Sequence, residues 1–586
     1  MDGQIHEPLP GPGLTRFIEF LPSNSPDVLN LALRVASLDS EPYAAVSYVW
    51  GDPAATIDIT CNGLQLKITR NLFCALQRVK KYSSTLRVWA DGISIWQACI
   101  AERNQQVTMM GEIYRHARSV LVCIHGSDPE PSDVKSLVHD VSTLIGSSRD
   151  WRAMDSVSDD DPILLDPRWN SAAVFKQSPW FSRAWVIQEV AMARDPRILY
   201  GDCDISYRDW ALLELWASQK APQLRRRWNL VSGTIHPQAV DWYRQDIPHN
   251  TSFIGIVCVM GRLGCADPRD HIYSLLAYPR ASLPGQKGPI VTPEYAMPVD
   301  DVFYNFSVQI LELPDGMRLL SAVSHRSKGP QESHPSWALS EHLFGLDLTD
   351  EGAISLGISE NHYYNASLDL GDSYHAIVEG RGLQLYGVYL DRIASVFALG
   401  KQDFEIPSPG NHHDGCENGA DVLESLYSTI TDASLPSPYG SHQGRRDAFS
   451  VTLRAGMLRS SDVPSYRPEF DAYWEARRRG RASGQEESKH NREAVLRTTM
   501  DMQDWTARRS FFITDKGYVG LCPKIARPGD TCIVFCGGFT PFVIRPRSSD
   551  MKFQMVGECY IHGIMTGELS NEVAAGSLAL QHIILY

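Results

Sequence analysis

The feature that most constrains this chain is an alternation of short apolar runs with amphipathic stretches between residues 43 and 124. Tyr43–Val49 (YAAVSYV) is apolar and stops at Trp50-Gly51-Asp52-Pro53, a turn signal. Thr56–Thr60 and Leu64–Ile68 flank Asn62-Gly63, which predicts a hairpin. The spacing of Leu72, Ala75, Leu76 and Val79 predicts a helix over 71–81, and Leu86–Ala90 is the next strand. In Glu102–Ala117, Val107, Met110, Tyr114 and Ala117 line one face of a second helix, and Val120–Ile124 is a further strand. Such alternation predicts an α/β unit with a parallel sheet and helices on its faces. Ligands of these sheets bind beyond the carboxyl ends of the strands. Asp91 falls at one such end, and so does the loop Ser47–Asp52.

With 586 residues the chain is too long for one ordinary core, so two or three domains are expected. A formal net charge of −14, from 55 Lys+Arg against 69 Asp+Glu, argues against non-specific nucleic-acid binding as the main task. The basic clusters Arg225–Arg227 and Arg477–Arg481 read as solvated loops. The N-terminal MDGQIHEPLPGPGLTRF lacks the basic start and apolar run of a secretory signal. The longest apolar run, Phe253–Met260, falls short of the ~18–20 residues of a membrane span. Neither Cys532 with Cys536 nor His412, His413 and Cys416 makes a good metal site, and no metal is expected.

Further along, Val134–Ile145 is helix-like, Ser182 is placed to cap a helix running to about Ala193, and Arg197–Tyr200 reads as a strand. From Asp267 to about Leu313 the chain looks largely helical. Pro330–Asp372 is irregular, and Lys401–Asp421 and Glu475–Glu493 read as linkers or insertions. From about Phe511 the pattern is β-rich and punctuated by glycine turns. The expected organisation is an extension (1–39), an α/β domain (40–205), a helical segment (206–325), an irregular region (326–500) and a β-rich C-terminal domain (501–586).

EPYAAVSYVWGDP (Glu41–Pro53), VWADGISIWQ with Glu102-Arg103 downstream, IYRHARSVLV (Ile113–Val122) and PWFSRAWVIQEVAMA (Pro179–Ala193) together resemble the successive motifs of the fungal heterokaryon-incompatibility (HET) domain. ADPRDHIYSLLA, PEYAMPVDDVFY, PSWALS, GYVGLCPKIARPGD and VGECYIHGIMTGE are similar to the region that often follows it. The resemblance implies a cytoplasmic fungal protein of non-self recognition and programmed cell death, with a fold distantly similar to the TIR domain. Some TIR domains cleave NAD, so NAD enters as a substrate rather than a cofactor, and no cofactor is required. The family's strand-end motif reads roughly Leu-Trp-Ile-Asp-Ala-Ile-Cys-Ile-Asn-Gln. Here Ser94 stands at the Cys position and Trp96 at the Asn position, while Asp91, Ile93, Ile95 and Gln97 match. The exchange leaves a hydroxyl in place of a thiol, and a hydroxyl needs a base to activate it.

The candidate catalytic residues are therefore Asp91, Glu189 and Ser94. Asp91 can act as a general base or hold a ribose hydroxyl, or cap the following turn. Trp185 and Glu189 are four apart and so share a helix face, which suits an aromatic wall beside an acid; the alternative is Trp185 in the core and Glu189 paired with an arginine. A partly buried Glu189 is expected to have a raised pKa. The candidate binding residues are Ser47, Trp50, Gln97, Glu102, Arg103, Arg183, Trp185 and Gln188. Arg103 and Arg183 are phosphate partners or structural pairs, Trp50 is a stacking wall or a plug, and Glu102 is favoured in a first helical turn by the helix dipole alone. Three functions stay open. One is a HET-domain protein with a nucleotide-sized cleft that cleaves a dinucleotide such as NAD. Another is a HET scaffold recruited into small-molecule biosynthesis. The third is a silent module that binds a protein partner or itself.

Overall fold

In the computed structural model the first unit, Met1–Val302, is built on the predicted alternation. The structure describes residues 5–586 except 231–252, 342–355, 358–363, 407–420, 458–462, 481–488 and shorter stretches of one to four residues. His412, His413 and Cys416, most of the irregular Pro330–Asp372 stretch and Arg481 lie outside the described residues.

The elements run β1 (Leu14–Phe20), β2 (Asn30–Ser37), β3 (Ala44–Tyr48), β4 (Thr56–Cys61), β5 (Leu64–Thr69), α1 (Arg70–Tyr82), β6 (Val88–Trp89), α2 (Asp91–Ser94), α3 (Ile100–His116), β7 (Ser119–Ile124), α4 (Pro131–Gly146), α5 (Arg168–Lys176), α6 (Val186–Ala191), β8 (Pro196–Tyr200), β9 (Cys203–Ser206), α7 (Tyr207–Lys220) and α8 (Gln223–Trp228). The nine strands form one sheet in the order β5-β4-β2-β1-β6-β3-β7-β8-β9. Its centre, β6-β3-β7-β8, is parallel, and antiparallel pairs β1–β2, β4–β5 and β8–β9 flank it.

Alternation along β7 divides the core in two. Leu121 and Cys123 face α1 with Ala75, Leu76 and Val79, while Val122 and Ile124 face α4, α5 and α7 with Leu137, Trp169 and Trp210. The segment before residue 40, expected as an extension, supplies two strands instead. β1 lies between β2 and β6, and Phe17 and Ile18 are fully buried. Its short alternation in LTRFIEF was masked by the prolines before it. The expected helicity from Asp267 to Leu313 is also reduced. A four-residue helix at Asp270–Tyr273 and a helix at Val299–Leu311 bracket a run of turns.

The second unit, Phe303–Tyr586, is β-rich at its C-terminal end as expected. Its strands are β10 (Ile377–Glu379), β11 (Gly382–Ala398), β12 (Arg509–Thr514), β13 (Val519–Pro523), β14 (Thr531–Phe535), β15 (Phe542–Pro546), β16 (Lys552–Glu558), β17 (Tyr560–Ile561) and β18 (Leu580–Leu585). β11 pairs with both β18 and β14, so β14-β15-β16-β18-β11 closes on itself as a barrel. The pairing shifts between Tyr389 and Asp391, and the second half of β11 leaves to pair with β12. At the crossing Gly387 has no room for a side chain, because a Cβ would lie 2.8 Å from the Val534 carbonyl oxygen.

The region 326–500, expected to be irregular, therefore holds the longest strand of the barrel. It also holds helices at Val422–Thr431, His442–Thr452, Val463–Gly480 and Lys489–Thr506. Phe449, Phe470, Tyr473 and Trp474 pack there around Phe511. The bulge at Asp391 breaks the period-two pattern that would have exposed β11 in the sequence. Among the described residues no helix is long and apolar enough to cross a membrane.

The buried pair Arg16–Glu102 fastens β1 to α3. The guanidinium meets the carboxylate at 2.5 and 3.0 Å, and the two side chains are 2% and 6% exposed. Removing either partner leaves a buried charge uncompensated. Arg16→Ala and Glu102→Ala are each expected to lower unfolding stability by about 3–5 kcal/mol, measured by urea denaturation. A loss under about 1 kcal/mol would show that the pair does not hold the strand.

Candidate functional site

The site grows from the carboxyl end of β3. Val46 and Tyr48 face α1, so Ser47 turns to the opposite side of the sheet. There its hydroxyl accepts from Trp180 Nε1 at 2.7 Å and donates to the Glu189 carboxylate. Glu189 sits on α6 and is 2% exposed. Its other oxygen takes a hydrogen bond from Arg183 Nη2 at 3.3 Å. Burial pushes the Glu189 carboxyl up against the pull of Arg183, the direction expected from the sequence. Arg183 Nη1 is also buried and has no hydrogen-bond partner among the described residues.

The segment 264–297 forms the facing wall. Gly264 makes an isolated parallel bridge to Arg183, with Gly264 N–H donating to the Ser182 carbonyl at 2.6 Å and Ala184 N–H to the Gly264 carbonyl at 3.0 Å. α3 holds the far end. Asn104 donates to Glu294 at 2.9 Å and accepts from the Tyr295 N–H at 3.0 Å. The two surfaces meet closely at Gly111, where a Cβ would lie 2.3 Å from that of Ala277.

Between these walls lies a cavity of about 610 Å³, within the range of small-molecule sites. Trp50, Trp185 and Tyr295 give it aromatic surface. Asp91, Asp267, Asp270, Arg103 and Arg183 give it charge. Trp50, 42% exposed, donates its Nε1 to Asp91 Oδ2 at 2.8 Å, and the Gly92 N–H reaches Oδ1 at 2.7 Å. Asp91 thus opens α2 and faces the cavity at once. The Arg103 guanidinium lies 3.5 Å from the Tyr295 ring centroid and 3.7 Å from Asp267. Burial pushes Asp267 up, but two hydrogen bonds from the Arg269 side chain outweigh it and hold the carboxyl below its ordinary range. Asp270 accepts from Tyr295 Oη at 2.6 Å and Trp185 Nε1 at 3.1 Å, and burial pushes its carboxyl up. Burial, with Asp270 and Asp267 nearby, pushes the Cys265 thiol up to about 12, so it is no ready nucleophile.

Of the eleven residues singled out in the sequence, Trp50, Asp91, Gln97, Arg103, Arg183 and Trp185 line this cavity. The other five are not among its lining residues. Ser94 is fully buried, and its hydroxyl accepts from the Ala90 N–H across the short turn of α2. Glu102 is spent on Arg16, a partner in a segment that was not expected to join the sheet. Ser47 is the buried bridge described above. Gln188 is buried between Gly111 and Ser274. Glu189 is the largest correction. It lies behind Arg183 rather than beside Trp185, because a buried carboxylate goes to its hydrogen-bond donors and the four-residue spacing does not bind the two tips together. Ser182 does not cap α6 either. It closes a 3₁₀ turn at Pro179–Ser182, and Trp185 is the N-cap. Sequence reasoning missed Asp267, Asp270 and Tyr295 as site residues. For the two aspartates the signal was the dense charge of ADPRDHIYSLLA, two acids and one arginine within four positions just before an apolar stretch.

The first unit is thus a mixed α/β sheet with a partly open cavity at its strand ends, and the second holds a barrel. Residues 43–189 match the family model described as Heterokaryon incompatibility protein (HET), and residues 445–576 match that of the Het-6 beta-barrel domain. Each match covers one part of the chain, so one region is similar to the HET domain and another to the Het-6 barrel. Among curated proteins it is similar to "Heterokaryon incompatibility protein 6, OR allele" of Neurospora crassa, 22% identical over 653 residues that cover 93% of this chain and 92% of the relative. No solved structure matches the chain.

The matched HET region stops well before the segment 264–297, although that segment supplies one wall of the cavity. His271 in this wall is 7% exposed, and burial lowers its pKa to about 4. Unfolded, it takes a proton near pH ~6.5. Between those values the unfolded state binds more protons, so stability falls as pH falls. His271 is expected to contribute about 2 kcal/mol to the loss from pH 7 to pH 5, read from urea midpoints, and His271→Gln is expected to remove that share, leaving what the other buried histidines such as His325 add. An equal slope in the variant would assign the loss to other groups.

Proposed function

We propose that this chain is a heterokaryon-incompatibility protein of fungal non-self recognition, acting in the cytoplasm, and that its HET unit binds a nucleotide and cleaves a dinucleotide such as NAD. What supports the recognition role is the pair of matched domains and the full-length likeness to a relative bearing that name. What supports a nucleotide is one observation: the guanidinium side chains Arg183 and Arg103 stand at the wall of a cavity flanked by Trp50 and Trp185. A guanidinium suits a phosphate oxygen, and indoles suit the face of a base.

In this reading Arg183 and Arg103 bind the phosphates, and Glu189 holds Arg183 from behind through its hydrogen bond and charge. Trp50 and Trp185 stack on the rings. Asp91 is the carboxylate at the reacting carbon, oriented by Trp50 and the Gly92 N–H. The C1′–N bond breaks with its electron pair leaving on nicotinamide. Water adds at C1′, and its proton passes to Asp91. The residual similarity to TIR domains in fold, and a link to programmed cell death, belong to the same proposal.

Purified full-length protein incubated with NAD is expected to release nicotinamide, detected by chromatography. Asp91→Asn is expected to lower the rate by about 100-fold or more, and Arg183→Gln to raise the NAD concentration needed for half-saturation. No release by the wild type, with saturable quenching of tryptophan fluorescence by NAD, would leave a nucleotide-binding module without this chemistry. Neither release nor quenching would remove the nucleotide as well.

A further inference from the structure

Asp270 differs from the other buried acids of its unit. Glu102 is held by Arg16, Glu189 by Arg183 and Glu214 by Lys176, and the partly buried Asp267 nearby is held by Arg269. Among the described residues no lysine or arginine lies within salt-bridge distance of Asp270. Its partners are two neutral donors, Tyr295 Oη on Oδ1 at 2.6 Å and Trp185 Nε1 on Oδ2 at 3.1 Å. The residue is 8% exposed and lines the cavity. Burying a carboxylate without a cation is costly. A carboxylate offers about four acceptor sites, so two remain after the protein has filled two. The tyrosine and tryptophan fix the plane of the group, one on each oxygen, and leave its remaining lone pairs for a guest.

The chemistry of the guest follows from the neighbours. Arg103 from α3 and Asp267 and Cys265 from the same segment surround Asp270, with Tyr295 against it. Arg103, stacked on Tyr295, disfavours a cationic group close by. A neutral donor is left, and a vicinal diol presents two hydroxyls to the two oxygens of one carboxylate.

We propose that Asp270 is the specificity residue of this cavity, accepting hydrogen bonds from the hydroxyl pair of a ribose whose base lies against Trp185. This rests on the nucleotide reading above. Trp185 then has two tasks, as stacking surface and as positioning donor, and Tyr295 is a positioning residue.

The test uses full-length protein and calorimetry with ADP-ribose, which has no nicotinamide left to lose, and two analogues that lack the hydroxyl pair of one or the other ribose. The wild type is expected to bind one analogue about tenfold or more weakly than ADP-ribose, the worth of one or two hydrogen bonds. Asp270→Asn is expected to bind that analogue and ADP-ribose alike, because the acceptor geometry that distinguishes them is gone. Tyr295→Phe is expected to reduce the discrimination severalfold, and it carries the test if Asp270→Asn does not fold. A purely structural Asp270 would lower the melting temperature when changed yet leave the discrimination intact, and that result overturns the proposal. Equal binding of all three ligands by the wild type also overturns it while leaving nucleotide binding in place. Absence of NAD quenching and of ADP-ribose binding overturns both readings.

Discussion

The cavity depends on the buried ion pair between Glu189 and Arg183. Glu189 is anchored under β3 by the Ser47 hydroxyl, and it holds the arginine from behind while the guanidinium keeps one buried N–H without a protein partner. A charge in so dry a place needs its counter-charge close, and Glu189 supplies it without closing the cavity. The backbone of the same turn does a second task. Ser182 and Ala184 pair with Gly264 and bring the wall that carries Asp270 into position. One short turn therefore sets both the arginine at the cavity wall and the opposite surface.

The cavity also shows how a carboxylate's surroundings separate tasks within one site. Asp91 sits at an open edge under an exposed indole. Asp267 is locked by Arg269. Asp270 is buried and takes hydrogen bonds from two neutral donors, with burial pushing its pKa up against them. Three aspartates of similar intrinsic acidity thus stand in three different settings, one at an exposed edge, one in an ion pair and one among neutral donors. The second unit applies a different constraint. There a single long strand closes the barrel on one side with β18 and β14 and leaves it on the other to meet β12, which requires a bulge at Asp391 and a glycine at the crossing.

Much of the first unit was legible in the residues. The parallel strands and the helices between them announced themselves through period-two and period-3.6 patterns, and their ends fell within a few residues of the observed ones. β1 and β11 were not legible, since prolines precede the first and a bulge interrupts the second. Among the site residues, Trp50, Asp91 and Gln97 stood just beyond recognisable strand ends, and that position was enough to place them at the cavity. Glu189 and Glu102 carried the same local signals of acidity and helical position, yet each was claimed by an arginine distant in sequence or hidden by a neighbouring turn.

By itself the sequence determined the alternation that builds the sheet, the β-rich end and the family its motifs resemble, because these depend on patterns local along the chain. Only the tertiary structure decided which acids face the cavity and which are consumed in ion pairs. A buried charge takes the partner that folding brings near it, and Arg16 for Glu102, or Tyr295 and Trp185 for Asp270, lie 86, 25 and 85 positions away.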